Sequence, residues 1–346
     1  MMKSKLTFLD LFSGCGGLSL GFEKAGYECK LAIDNWQDAL YTYKKNRSHA
    51  ETLCADISTI DPSIIKKEYN LNEIDVIIGG PPCQGFSIAG KRIVEDKRNE
   101  LYKSFVKFVE VLQPKAFLME NVPNITSIGD GIILSSILKD FTELGYTVSY
   151  KIVSASDYCV PQNRKRAVFV GLKNGHTFTF PAPTTIDKVT SEDAISDLPE
   201  YSIQEGGEYV CEAQSEYQKK MREGSEKVFN HEITIHTEKT KSIIAMVPDG
   251  GNYKDLPKEL QNTRKVHIAW TRLNSKRPSF TIDCGHNHHF HYKYNRVPTV
   301  RESARIQSFP DSFIFYGNKG SQLKQVGNAV PPMMAYAIAD CLKNLL

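Results

Sequence analysis

Short apolar runs alternate with amphipathic stretches along the first half of the chain. Leu6–Phe12, Cys29–Asp34, Ile74–Gly79, Ala116–Glu120 and Ala167–Gly171 are compact and rich in Leu, Ile, Val and Phe, the pattern of strands buried on both faces. Helix-like segments lie between them, at Leu18–Lys24, Asp38–Lys45, Glu100–Leu112 and Ile133–Leu144. Strand, helix, strand at this spacing predicts an α/β fold, a doubly wound and mostly parallel sheet with helices on both faces. After Gly171 the alternation dissolves into turn-rich, charged sequence, and it returns as helix-like stretches at Pro298–Gln307 and Pro331–Leu345. The predicted organisation is an α/β domain over 1–171, a smaller irregular lobe over 172–297, and a return segment over 298–346 that completes the first domain.

Composition narrows the class. The chain has 346 residues, 41% apolar and 24% charged, which is enough to build a core and typical of globular proteins. No run of about 18 apolar residues is present, so no membrane partner is expected. The start, MMKSKLTFLDLF, lacks a secretory pattern, and the eight cysteines form no C-x-x-C pair. Both point to reduced thiols in a cytoplasm and away from a zinc knuckle. Net charge is only +3, but it is segregated. Residues 187–226 carry eleven acidic and four basic side chains, whereas 227–300 carry twelve basic and six acidic ones together with seven of the nine histidines. A basic segment inside a near-neutral chain suits contact with a polyanion.

Chemistry-bearing residues fall where the strands end. Asp10-Leu11-Phe12-Ser13-Gly14-Cys15-Gly16-Gly17 follows the first strand and opens a helix, and its glycines let the backbone turn tightly against a ligand. Asp34 ends the next strand, where a carboxylate can accept ribose hydroxyls, and Asp56 sits where a third strand would end. Two acids at successive strand ends suit an adenosine without a pyrophosphate. Gly79-Gly80-Pro81-Pro82-Cys83-Gln84-Gly85-Phe86-Ser87 places a thiol on a loop stiffened by two prolines, at the sheet edge where open α/β folds hold ligands. A thiolate there suits a nucleophile. Glu120-Asn121-Val122 ends another strand on the same edge, where a carboxyl group could act as acid toward a heterocycle nitrogen. In Gln162-Asn163-Arg164-Lys165-Arg166 the alternate arginines share a face, ready to clamp Glu120, a substrate oxygen or a phosphate.

Taken in order, these elements resemble the cytosine-5 DNA methyltransferase family of the bacterial and phage restriction-modification type. The resemblance covers most of the chain: it continues through Arg301–Pro310 (RESARIQSFP) and Gln325–Pro332 (QVGNAVPP), and spacing agrees as well as wording. Departures are small: aspartate at 34 where glutamate is frequent, alanine at 55 for glycine, and serines at 303 and 308. None removes a group that the family's chemistry needs.

The resemblance implies that Cys83 attacks carbon 6 of a flipped-out cytosine, that Glu120 engages N3, and that Arg166, with Arg164 more loosely, supports the substrate oxygen or the backbone. It implies S-adenosyl-L-methionine as cofactor, released as S-adenosyl-L-homocysteine. Its pocket would be lined by Phe12, Ser13, Gly14, Gly16, Gly17, Asp34, Asn35, Asp56, Ile57, Pro81, Leu101, Asn328 and Ala329. It makes 1–171 and 298–346 the catalytic domain and 172–297 the target-recognition region. Double-stranded DNA is the implied partner, contacted by Gln84 and Ser87 beside the thiol and by Arg272, Arg277, Asn287 and His288 in the basic segment. The expected setting is a monomer in the bacterial cytoplasm beside a cognate restriction endonuclease, without a stable complex.

Two other classes stay open on sequence alone. A tRNA-cytosine methyltransferase uses the same cysteine chemistry, but that branch usually varies the residues after PPCQ and carries a compact insert. A catalytically dead DNA-binding relative would not need Cys83, Glu120 and Arg166 intact. Cys284, His286 and His288 alternate and could share one face as a zinc set. Contact with phosphates or bases, or packing of the recognition lobe, is the reading kept here, with no metal.

Overall fold

A computed structural model describes residues 5–82, 100–184, 187–261, 270–285 and 289–346. The chain forms two compact units. The first comprises Met1–Ser154, Lys165–Ala182 and Met334–Leu346. It is built on a seven-stranded sheet of β1 (Thr7–Leu11), β2 (Glu28–Asp34), β3 (Glu51–Cys54), β4 (Val76–Gly79), β5 (Ala116–Asn121), β6 (Thr147–Ser154) and β8 (Lys165–Leu172), in the order β3-β2-β1-β4-β5-β8-β6. The short strand β7 (Gln162–Asn163) falls in the second unit. Strands β1 to β5 run parallel, and β8 is antiparallel to both β5 and β6.

Every strand foreseen in the sequence is present within two residues of its expected ends, because each is an apolar run that the sheet buries completely. Leu9, Leu11, Leu31, Ile33, Ile77, Phe117 and Phe169 have no exposed surface. The helices α1 (Gly17–Lys24), α2 (Gln37–Asn46), α3 (Pro62–Glu68), α4 (Glu100–Leu112) and α5 (Ile132–Glu143) connect them. Phe105, Phe117 and Phe141 form an aromatic cluster between the sheet and α4 and α5. Gly171 is required in this packing, since a Cβ would lie 2.0 Å from the Phe117 ring. The parallel register sets Leu11 beside both Ile33 and Gly79, so the loops after β1, β2 and β4 leave from one edge.

The second unit comprises Ala155–Arg164 and Pro183–Met333. It holds the short helices α6 (Ser191–Ile195), α7 (Glu216–Arg222), α8 (Glu238–Ala245), α9 (Lys258–Gln261), α10 (Val300–Ile306) and α11 (Lys319–Asn328), with strands of two residues each. This division differs from the expected one: residues 298–333 group with the second unit, and only Met334–Leu346 with the sheet. The physical reason is a buried ionic network on α10. Arg305 binds Asp311 at 2.7 Å and Asp197 at 2.5 Å, Arg296 holds Glu302 through two bonds of 2.8 and 2.7 Å, and Arg301 donates to the carbonyls of Phe229, Pro310 and Phe313. Charges this deep are tolerated only with their partners in place, which binds 298–311 to residues near 197 and 229. The Phe313–Phe315 turn and Trp270, Phe290 and Val297 fill apolar cores of the same unit. Trp270 therefore packs the lobe.

The helix α12 (Pro332–Lys343) ends the described chain. Its Ala339 carbonyl accepts from the Tyr27 hydroxyl at 3.1 Å, and Lys343 donates to the Ala25 carbonyl at the end of α1 at 2.7 Å. Among the described residues no helix is long and apolar enough to cross a membrane.

Candidate active site

The loop from β1 into α1 alternates into left-handed backbone, with Phe12 at φ +60°, Gly14 at +54° and Gly16 at +89°. Phe12 holds this conformation despite its Cβ, a strain of about 1–2 kcal/mol that the surrounding bonds must offset. Two such bonds hold it: Ser13 N–H donates to the Ile33 carbonyl at 3.1 Å, and Gly14 N–H donates to Asp34 Oδ2 at 2.8 Å. The other oxygen of Asp34 accepts Trp36 N–H, also at 2.8 Å. A Cβ on Gly14 would meet nothing within 4 Å, so the loop borders open space. Ser13 Oγ is buried with no hydrogen-bond partner among the described residues. Asp56 follows β3 on the same edge, exposed, its carboxylate held below the usual range by the hydroxyl and N–H of Ser58 at 2.7 and 2.9 Å. Asn35 is exposed, Ile57 and Gly17 are buried, and Leu101 is half-buried in the first turn of α4.

Next along the edge, β4 runs into Gly80, Pro81 and Pro82. Cys83, Gln84 and Ser87 lie outside the described residues, as do His286, Asn287 and His288. The approach to the thiol is nonetheless fixed from the neighbouring strand. Asn121, at the end of β5, donates through Nδ2 to the Pro81 carbonyl at 2.9 Å, and its Oδ1 accepts Val122 N–H at 2.8 Å. Glu120 lies close to the same peptide: a Cβ on Gly80 would come within 3.2 Å of its Oε2. Glu120 Oε1 is 2.8 Å from Arg166 Nε, with both side chains mostly buried, and Arg166 Nη1 also donates to the Lys165 carbonyl at 2.7 Å. A carboxylate clamped through one oxygen keeps the other for a ligand.

The sequence does not announce the bonds by which Asn121 and Trp36 hold Pro81 and Asp34. The only signal for Asn121 was its place beside Glu120 at a strand end. Arg164, Asn328 and Ala329 belong to the second unit. Arg164 is buried, its carbonyl accepting Ala155 N–H at 2.9 Å. Asn328 Oδ1 accepts the Cys284 thiol at 2.9 Å, and the Ala329 carbonyl accepts Gln307 Nε2 at 2.6 Å.

Arg272 corrects the expectation of a DNA-facing arginine. It is only 5% exposed, and its guanidinium donates to the carbonyls of Ile244, Val247 and His291 at 2.5, 2.7 and 3.0 Å. It closes the C-terminal end of α8 and does not face solvent. Arg277 is exposed.

The family described as "C-5 cytosine-specific DNA methylase" matches residues 6–344. The chain belongs to this family. It is a DNA (cytosine-5-)-methyltransferase by that membership. It is 38% identical over 343 residues to the Type II methyltransferase M1.HphI of Haemophilus parahaemolyticus, covering 98% of this chain and 87% of that one. It is also 38% identical to M.DdeI of Desulfomicrobium norvegicum, covering 97% and 88%. Among solved structures, a prophage-encoded E. coli chain assigned as a DNA modification methyltransferase superposes with a TM-score of 0.83 at 31% identity, covering 99% of each chain. The Entamoeba histolytica methyltransferase EhMeth shares the fold, with a TM-score of 0.68 at 16% identity over 99% of this chain and 100% of that one.

Proposed function

We propose that this methyltransferase modifies carbon 5 of one cytosine within a specific duplex sequence, as the protective half of a restriction-modification system. The observation that carries the reading is the placing of Glu120, clamped by Arg166, and Asn121 around the Gly80–Pro81 peptide that leads to Cys83. Carbon 5 of cytosine is a poor nucleophile unaided. Addition of the Cys83 thiolate to carbon 6, with Glu120 holding a proton at N3, turns the ring into an enamine with a nucleophilic carbon 5. Arg166 keeps Glu120 aimed and supports the charge that develops on the substrate oxygen. Once carbon 5 carries the methyl group, it loses its proton to a base, and the carbon–sulfur bond breaks to restore the aromatic ring and the Cys83 thiolate. A stacked base cannot meet the thiol, so the target must leave the helix.

The loop after β1 fits S-adenosyl-L-methionine: it offers an unpartnered buried hydroxyl at Ser13, open space beside Gly14, and two acids at successive strand ends. Phe12, Ser13, Gly14, Asp34 and Asp56 would hold the cofactor. When bound, it supplies an electrophilic methyl group. In this reading the basic segment 227–297 of the second unit selects the DNA sequence. Its exposed lysines and arginines, which exclude the buried Arg272 and Arg296, contact phosphates, with Arg277 and Asn287 as candidates for base edges.

Duplex DNA carrying 5-fluorocytosine tests the chemistry, because fluorine at carbon 5 cannot leave as a cation and elimination stalls. The expected result is a cofactor-dependent, denaturation-resistant adduct mapped to the peptide containing Cys83. An adduct on another cysteine, or one formed with tRNA in preference to duplex DNA, overturns the reading. Bisulfite mapping of DNA from expressing cells then gives the recognised sequence.

A further inference from the structure

We infer that Arg47 is a positioning residue for the cofactor loop, fixing it from beneath through the Gly16 carbonyl; the inference rests on the reading of Phe12–Gly17 as the cofactor site. Arg47 follows α2 and is almost fully buried. Its Nη2 donates to the Gly16 carbonyl at 2.7 Å, its Nε donates to Glu23 Oε2 at 2.5 Å, and its guanidinium lies 4.5 Å from the centre of the Tyr43 ring. Gly16 in turn has no room for a side chain: a Cβ there would stand 2.6 Å from both Arg47 Nη1 and the Tyr43 ring. Loop and guanidinium are therefore in direct van der Waals contact, and the fit depends on glycine at 16.

The bond that Arg47 makes is placed to control geometry. The Gly16 carbonyl already accepts Leu20 N–H at 2.9 Å and so begins the hydrogen bonding of α1. A second, charged donor on the same oxygen sets where the helix starts. Two residues earlier, Gly14 N–H is fixed on Asp34. The stretch between is thus held at both ends, by Asp34 from the side of the strand ends and by Arg47 from below. A cation beneath a helix N-terminus opposes the helix dipole, and Glu23 on α1 supplies the compensating charge. With Arg47 removed, the Gly16 N–H keeps the Ser13 carbonyl and the Gly16 carbonyl keeps Leu20 N–H, but the charged donor that fixes that carbonyl is lost, and the left-handed conformations at 12, 14 and 16 are held less firmly.

The test uses the full chain with Arg47→Met, Arg47→Lys, Glu23→Gln and, as the reference for the site itself, Asp34→Ala. S-adenosyl-L-homocysteine affinity is measured by calorimetry, and KM for S-adenosyl-L-methionine, KM for duplex DNA and kcat are measured by methyl transfer. Arg47→Met should weaken S-adenosyl-L-homocysteine binding and raise the cofactor KM by about ten- to a hundredfold, the worth of a hydrogen bond to a charged group. The DNA KM and the kcat at saturating cofactor should move by less than about threefold. Arg47→Lys should recover part of the affinity, because an ammonium can reach one acceptor but not hold two. Glu23→Gln keeps the volume and should give an intermediate loss, which preserves the test if Arg47→Met fails to fold. Parent-like cofactor affinity in Arg47→Met and Glu23→Gln, with Asp34→Ala impaired, overturns the inference while the site stands. Equal losses in kcat and both KM values also overturn it, as those of a merely structural residue. Parent-like affinity in Asp34→Ala removes the cofactor-site reading on which it rests.

Discussion

Arg166 Nε stands 2.8 Å from Glu120 Oε1, the two side chains meeting from the antiparallel neighbours β8 and β5. The pairing occupies one carboxylate oxygen and fixes the orientation of the other. Glu120→Gln keeps the shape but removes the proton-holding group, and should lower single-turnover methylation by about 10²–10⁴ with duplex binding retained. Arg166→Lys keeps the charge but loses the planar fork, and should fall between the parent and Glu120→Gln. A turnover within about threefold of the parent for Glu120→Gln would remove it from the chemistry.

Cys83→Ser should abolish methyl transfer and leave specific duplex binding intact. A hydroxyl is a far weaker nucleophile than a thiolate near neutral pH, while the two side chains differ little in size. Methyl-transfer and gel-retardation assays on the same preparation separate the two effects.

Asn121→Ala should slow adduct formation with 5-fluorocytosine DNA more than it weakens DNA binding. The amide bridges the Pro81 carbonyl and Val122 N–H, so its loss leaves a buried acceptor unpaired, costing about 1–3 kcal/mol, and releases the peptide before the thiol. Equal rates of adduct formation in variant and parent would show that the loop needs no such tether.

Asp10 gives a pH signature. Burial pushes its carboxyl up to about 7, against a lowering bond from the Ser19 hydroxyl at 2.5 Å. A group raised in the fold stabilises fully below its unfolded pKa, near 3.8, and that contribution is lost as pH rises through about 7. The parent should therefore lose thermal stability relative to Asp10→Asn between about pH 4 and 7, with no further loss above that range. Parallel melting curves across that range would show that Asp10 ionises normally.

Arg272→Leu should lower stability without changing the methylated sequence, since Arg272 spends its donors on the carbonyls after α8. Exchange of 227–297 for the matching segment of a relative with different specificity should move the methylated site and keep the Cys83 adduct. Sequencing of the methylated cytosines decides both points. A folded exchange variant that still methylates the parent sequence places recognition elsewhere.

The sheet was legible because its strands are buried on both faces and write themselves as apolar runs. The exceptions are β3, ETLC with Glu51 and Cys54 exposed, and β6, whose Tyr150, Lys151 and Ile152 are exposed, so no such run marks either. Helix α11 hides for a different reason: KGSQLKQVGN is polar, and its start is set by Asn318 accepting Ser321 N–H at 2.9 Å. Loop chemistry was legible where residue type alone carries it, as with the glycines at 14 and 16 or the Glu120–Arg166 pair. Asn121 acts through the Pro81 carbonyl and Arg272 through the carbonyls of Ile244 and Val247, all distant in sequence, and nothing local to either residue announces them. In Arg272 the local signal misled, because a basic stretch suggests solvent and the carbonyls it caps lie more than twenty residues away.

The docking of α12 onto the first unit has a consequence for synthesis. All seven strands have left the ribosome once Leu172 has, yet the helix that receives the Tyr27 hydroxyl and caps α1 is made only after the whole second unit. At translation rates of about 5–20 residues per second, that interval is on the order of ten to thirty seconds. Throughout it, the surface later covered by Ala335, Ile338, Ala339 and Leu342, all essentially fully buried in the finished protein, stands open to other nascent chains. The first unit thus keeps part of its core for a helix that is made long after its sheet.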